Sequence, residues 1–366
     1  MNVPVDEETA SQVPKAISTP GPSGRIRWIV RVFAVGLLAI ILSGMIGWMG
    51  LAVYYANLHG NPPRTIRSLL VVVAAIAMLI FIRPRRLALA AFGLYFCCVL
   101  VWFFSIKPSA ELDWATDVAV MPSATVEGDL IHVHNIRNFE YRSETDFTPR
   151  YYDRTFDLKK LQSIDYVLSY WAGPAIAHAF LSFGFANDSY LAVSIETRKE
   201  KKESYSAIEG FFRQYELIYV VADERDLIGL RTSHRGEDVY LFRLRTPPDK
   251  RRAVLLDYVR EINSLHERPQ FYNALTANCT TSILGHFRCA PPYPRMSLDV
   301  LLSGYSARYA YESGALDPSR PFDELKSLGR VTERAKTAGS SPAFSQVIRQ
   351  GVPTPAPRDD LSEARR

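Results

Sequence analysis

The sequence predicts three membrane-spanning helices followed by an α+β domain. Two observations carry this. All the long apolar runs fall before residue 107, and beyond it strand-like alternations bounded by turns are interleaved with helical periodicities. The first apolar run, Val32 to Tyr55, is long enough to cross a hydrocarbon layer of ~30 Å with some tilt. It is too long for a signal-peptide core, and no small-residue cleavage site follows it. The second, Ile66 to Ile82, is shorter, and Arg67 at its start can snorkel to headgroups. The third, Leu87 to Ile106, ends in Trp102, Phe103 and Phe104, an interfacial aromatic cluster. Arg25, Arg27 and Arg31 precede the first run, and Arg83, Arg85 and Arg86 lie between the second and third. The positive-inside bias therefore predicts a cytoplasmic N-terminus, a multi-pass protein of the bacterial inner membrane, and delivery of everything after Lys107 to the periplasm.

The remainder divides on composition. Residues 1–24 read as a disordered cytoplasmic tail, 25–106 as the membrane domain, 107–351 as the extracytoplasmic domain and 352–366 as a mobile tail. Strands are expected at Leu130–Val133, Ile136–Tyr141, Asp165–Trp171, Leu217–Ala222 and Val239–Arg245. Residues 176–197 read as a β-hairpin turning at Ala186-Asn187-Asp188. Helices are expected at Leu158–Gln162, Ser206–Tyr215 and Arg251–His266, the last with apolar residues at 255, 256, 259, 262 and 265. Ser297–Leu302, Val331–Ala338 and Phe344–Gln350 complete the set. The net charge of +5 in 366 residues is too small and dispersed to argue for nucleic acid, and it suits contact with anionic lipid. Of the four cysteines, Cys97 and Cys98 lie inside the third apolar run, which leaves Cys279 and Cys289 free and no disulfide framework.

Cys279 is the chemical focus. Asn278 before it is a favoured N-cap, and Ile283, Leu284 and Phe287 recur at helical spacing after it. A thiol in a first helical turn lies among unpaired N–H groups at the positive end of the helix dipole, which favours the thiolate. His178, about a hundred residues upstream in a strand-like stretch, is a base for such a nucleophile if the fold brings the two together. If the hairpin turns at Asn187, residues whose numbers sum to about 374 face each other, at a Cβ separation of about 5 Å. Glu196 then opposes His178 and can orient its imidazole, whereas a slip of one residue substitutes Ile195 or Thr197. The competing readings are structural: a satisfied core histidine, a buried small hydrophobe and a solvated strand charge.

Other candidates are weaker. His132 and His134 share a strand face, but no further cluster completes a metal site, so neither metal nor cofactor is expected. His286, two turns beyond Cys279, is too far to act as its base. The run Ala-Asp-Glu-Arg-Asp (222–226) reads as a salt-bridged loop, with Asp223 or Arg225 near the cleft. Ser182 and Ser233 stand in no nucleophile-elbow context.

Several strings resemble the Lnb N-terminal periplasmic domain family. They are Val133 to Phe147, Ser169 to Gly173, Ile176 to Phe183, Val193 to Arg198, Ala222 to Asp226 and Phe271 to Thr281. The order of a His segment before an Asn-Cys helix start is also similar to circularly permuted NlpC/P60 and lecithin-retinol-acyltransferase-like proteins, a rearranged papain-like fold. That resemblance implies Cys279 as nucleophile, His178 as base and Glu196 as orienting residue. It implies N-acylation chemistry, an acyl chain passing from phospholipid to the amino group of a lipoprotein. In Lnb the periplasmic domain precedes the membrane helices, whereas here the helices lead. The expected function is a membrane-anchored periplasmic thiol acyltransferase. It forms a thioester on Cys279 and delivers the chain to an amine, with the backbone and Asn278 stabilising the oxyanion. The alternatives are a cysteine peptidase or amidase acting on cell-wall peptide, and a non-catalytic envelope scaffold.

Overall fold

The apolar runs become three helices in the computed structural model, which describes residues 22–56, 62–109, 112–291 and 293–357. They are α1 (Pro22–Tyr55), α2 (Arg64–Phe81) and α3 (Arg85–Ser105). All three are long and apolar enough to cross a membrane. Their outer apolar side chains are exposed, while Met49, Ala75, Phe92 and Val99 form a small core among them. The chain divides into two compact units, one holding these helices and the other residues 55–60 and 105–366. Most of the expected cytoplasmic tail lies outside the described residues. Its last three residues, 22–24, already belong to α1.

The second unit is built on an eight-stranded sheet in the order β1-β2-β9-β8-β7-β6-β10, with β5 pairing on β2. These strands are β1 (Ser123–Glu127), β2 (Leu130–Arg137), β5 (Tyr151–Asp157), β6 (Leu161–Tyr170), β7 (Ala177–Phe185), β8 (Ser189–Arg198), β9 (Glu216–Ala222) and β10 (Asp238–Arg243). A small hairpin of β3 (Glu140–Tyr141) and β4 (Phe147–Thr148) stands apart. The helices are α4 (Glu224–Gly229), α5 (Pro248–Glu267), α6 (Cys279–His286), α7 (Leu298–Leu301), α8 (Ser306–Glu312), α9 (Phe322–Gly329), α10 (Thr332–Ala338) and α11 (Phe344–Ile348).

Because side chains alternate along a strand, the central sheet has two apolar faces. Odd-numbered residues of β7, β8 and β9 pack with α5 and α6 in the larger core. Even-numbered ones such as Phe180, Ala192 and Ile218 pack with α4, α10 and α11. The β7–β8 hairpin turns where the sequence indicates, with Asn187 and Asp188 at φ of 63° and 54°. Three residues, Ala186 to Asp188, join the paired Phe185 and Ser189, and Asn and Asp tolerate these left-handed values. Phe180 pairs Ser194 and Phe185 pairs Ser189, the register read from the sequence.

Several expectations change. Ser206–Tyr215 is not a helix, only a single turn at Glu209–Phe211. Arg213 adopts φ of 57°, and the Tyr215 hydroxyl accepts from Ser206 N and donates to Ser204 O. The tight local bonding replaces a helical ladder. The 222–226 run is salt-bridged as expected but leads into a helix rather than forming a loop: Glu224 and Asp226 are buried in α4, Asp226 paired with Arg137 at 2.7 Å. Glu224 accepts from Arg349 Nη1 at 2.7 Å and from Ser182 Oγ at 2.5 Å. Arg349 also reaches Asp165, at 2.7 Å, tying the C-terminal helix into the sheet. Residues 352–357 are likewise held, since Val352 packs on the second core and Arg245 Nε donates to Ala356 O at 3.3 Å. Residues 358–366 of the expected mobile tail lie outside the described residues.

Candidate functional site

The site forms where a ladder stops early. β6 and β7 pair as far as Tyr170–Ala177, and β8 and β9 as far as Arg198–Glu216. Between them β7 and β8 pair only to Phe180–Ser194, so His178 and Glu196 lie just beyond the last rung. At this gap the Ala179 N–H, beyond the last β7–β8 pair, favours the ionised form of Cys279.

Cys279 is the first residue of α6, and its position is fixed by a capping box. Asn278 Oδ1 accepts from Thr281 N at 2.9 Å, while Thr281 Oγ1 accepts from Asn278 N at 3.1 Å. Asn278 Nδ2 donates to Ala274 O at 2.7 Å. The Asn278 side chain is therefore committed to building the helix start, which leaves backbone N–H groups as the oxyanion donors there. Cys279 is buried, and it lies near enough to His178 for the two to influence each other's ionisation.

The imidazole is held from its other side. His178 Nε2 lies 2.7 Å from Ser194 Oγ and 3.3 Å from Glu196 Oε1. Ser194 Oγ donates to Glu196 Oε1 at 2.7 Å, and the buried Arg231 guanidinium donates to the same oxygen at 2.8 Å. With Nε2 engaged, Nδ1 is the nitrogen available to the sulfur. The direct imidazole–carboxylate contact expected from the register is present, but at the longer distance, with a serine bridging the two groups. Neither Ser194 nor Arg231 emerges from the sequence analysis. Ser194 was accessible to the same alternation that finds Glu196, two residues further along one face. Arg231, in a π-helical turn after α4, carries no motif.

Electrostatics follow the geometry. Burial disfavours protonated His178, but the Glu196 carboxylate and the hydrogen bond with Cys279 outweigh it and push the imidazole up to about 9. Burial likewise opposes ionisation of Cys279. The hydrogen bond and charge of His178 and the Ala179 N–H overcome it and bring the thiol below its ordinary value. Burial raises Glu196, yet His178 and Arg231 hold it well below the usual carboxylate range. Both shifts run toward a thiolate and an imidazolium.

Around the sulfur, Tyr272 is buried and hydrogen-bonded to Tyr205. Behind α6 lies a cleft of about 520 Å³, lined by Tyr166, Ile283, Leu284, Phe287, Val300 and Tyr309. Its size falls in the range of ~300–1,000 Å³ typical of ligand pockets.

The remaining candidates are placed elsewhere. His286 is buried between Tyr219, at 2.7 Å from Nε2, and Asp257, at 2.7 Å from Nδ1, and stacks on Tyr258. It braces α6 against α5. His134 bonds Asp153 and His132 bonds Thr155. Among the described residues no group of three His, Cys, Asp or Glu side chains is arranged to hold a metal. Asp223 accepts from Tyr152, and Arg225 bonds Asn138 and Ser340 O, so both belong to the packing of α4.

Three apolar helices followed by a mixed α+β unit define a membrane protein with a globular domain. Residues 147–309 match the model of the Lnb N-terminal periplasmic domain, the family its motifs resemble. No curated protein and no solved structure matches the chain.

Proposed function

We propose that this protein is a thiol acyltransferase anchored in the inner membrane, with its N-terminus cytoplasmic and its catalytic domain in the periplasm. The observation that carries the reading is that the fold brings Cys279 and His178 close enough for each to shift the other's ionisation, the thiol lowered and the imidazole raised. The thiolate attacks the ester carbonyl of a membrane lipid. Backbone N–H groups at the start of α6 stabilise the oxyanion. Collapse breaks the ester C–O bond, His178 gives its proton to the departing lipid alcohol, and a Cys279 thioester remains. An amine then attacks the thioester, His178 takes the proton it loses, and the thiolate leaves. The N-terminal amine of a lipoprotein is the acceptor that the resemblance to the Lnb family implies.

Glu196 orients and stabilises the imidazolium, through Ser194 and directly. The cleft beside α6 carries apolar surface from Ile283, Leu284, Phe287 and Val300 that suits an acyl chain, alongside the charged Lys250, Arg295 and Glu312. The order His before Cys fits a permuted papain-like arrangement. The test is mass spectrometry of protein incubated in phospholipid vesicles. A hydroxylamine-sensitive acyl adduct on Cys279, absent in Cys279→Ala, supports the reading. Release of cell-wall peptides with no adduct supports the hydrolase, and neither activity leaves an envelope scaffold.

A further inference from the structure

The site opens within an apolar rim. Trp171, Ile176 and Leu302 on one side, and Tyr205, Ile208 and Leu275 on the other, are between 43% and 54% exposed. The first group is locked together, because Gly304 N donates to Ala175 O at 3.0 Å and Ala177 N to Ser303 Oγ at 2.9 Å. A Cβ at Gly304 would stand 2.2 Å from Pro174 O, so this approach of two loops needs glycine. The second group is joined by Ala274 N donating to Gly210 O at 3.0 Å. The Trp171 and Tyr205 rings meet edge to face at 6.1 Å and link the two. Ile176 stands two residues before His178, Leu275 four before Cys279, and Tyr205 bonds the Tyr272 beside the sulfur.

Scattered exposed apolar side chains are ordinary, whereas a linked set around a reactive centre marks an interaction surface. Its mixture of Trp, Tyr and aliphatic side chains is that of a membrane–water interface. The chain supplies such an interface itself through three spanning-length helices. Within the globular unit, Arg213 Nη1 donates at 2.7 Å to the carbonyl of Ile106. Lys202, exposed beside Tyr205 in sequence, adds charge suited to anionic headgroups.

We propose that this rim seats on the surface of a lipid bilayer, so that substrate reaches the Cys279 site from the membrane without passing through water. The second half of that statement rests on the acyltransferase reading, and the first does not. The test is photolabelling of full-length Cys279→Ala protein in vesicles of phosphatidylcholine and phosphatidylglycerol that contain a diazirine-bearing phospholipid, with adducts mapped by peptide mass spectrometry. Expected are adducts in peptides spanning 171–176, 205–211 and 302–305, several-fold above those at Val126 and Leu130. These two are also exposed and apolar but belong to the β1–β2 hairpin. Adducts confined to α1–α3, equal labelling of the hairpin, or a rim protected by cross-linking to a second copy would each overturn the proposal. The labelled protein lacks the sulfur, so the result is independent of turnover. A labelled rim without acyl transfer in the unaltered protein sinks only the chemistry, and transfer with an unlabelled rim sinks only the docking.

Discussion

Ser194 stands between His178 and Glu196, its Oγ 2.7 Å from the imidazole Nε2 and 2.7 Å from the carboxylate Oε1. The hydroxyl accepts from the imidazolium while donating to the carboxylate, so it passes the influence of one charge to the other. A hydrogen bond to a charged group contributes about 1.5–3 kcal/mol, equivalent to a pKa change of about one to two units. Ser194→Ala is expected to lower the His178 pKa by about that amount, moving the alkaline edge of activity to lower pH. Ser194→Thr should restore it. A pH–rate profile of acyl-adduct formation checks both, and an unmoved edge in the alanine variant refutes the relay.

The pH dependence of the unaltered site follows from the two shifts. Transfer needs the thiolate, gained as pH rises through the depressed Cys279 pKa, and the imidazolium, lost as pH rises through about 9. A bell with its alkaline limb near that value is expected. Iodoacetamide offers an internal comparison. Cys279 should alkylate at lower pH than Cys289, whose thiol is pushed up chiefly by desolvation.

Arg231 is the buried cation that keeps Glu196 ionised. Arg231→Met removes one partner of an ion pair and leaves the other charge partly buried. A destabilisation of about 3 kcal/mol is expected, together with protonation of Glu196 at higher pH. Thermal melting across pH measures it. A loss of stability with no change in the activity profile would confine Arg231 to packing.

Asn278 separates cap geometry from charge. Asn278→Ala should cost about 1 kcal/mol of stability and loosen the turn that holds Cys279. Asn278→Asp keeps an oxygen for Thr281 N but sets a negative charge beside the thiolate. It should preserve the melting temperature while raising the alkylation pKa of Cys279.

Arg349→Met tests the C-terminal clasp. Asp165 and Glu224, both buried, lose a shared cation, and a loss of about 3–5 kcal/mol is expected. Chemical denaturation of the unaltered and variant proteins measures it.

Much of this was legible in the sequence because its causes are local. Apolar length set the three spans, Asn187 set the hairpin register, and Asn278 set the start of α6. The register alone put Glu196 near His178. What was illegible depends on distant chain. Whether 222–226 is solvated or buried is decided by Arg137 and Arg349, neither adjacent in sequence. Alternation puts Ser194 on the face of Glu196, but its bridging role depends on the β7–β8 ladder ending two residue pairs short of His178 and Glu196, which the sequence does not reveal. Ser206–Tyr215 has helical spacing, yet Arg213 and the Tyr215 hydroxyl impose a loop. The strand β5, rich in charge and tyrosine, pairs only because β2 offers it an edge.

The Arg349 clasp bears on how the protein is made. Two carboxylates, at 165 and 224, share a counter-ion that follows them in the chain by 184 and 125 residues. Until Arg349 is made, Asp165 has Arg243 beside it but Glu224 lacks this cation, so the domain is completed late in synthesis. A product that lacks Arg349 should be a ready target for quality-control proteases.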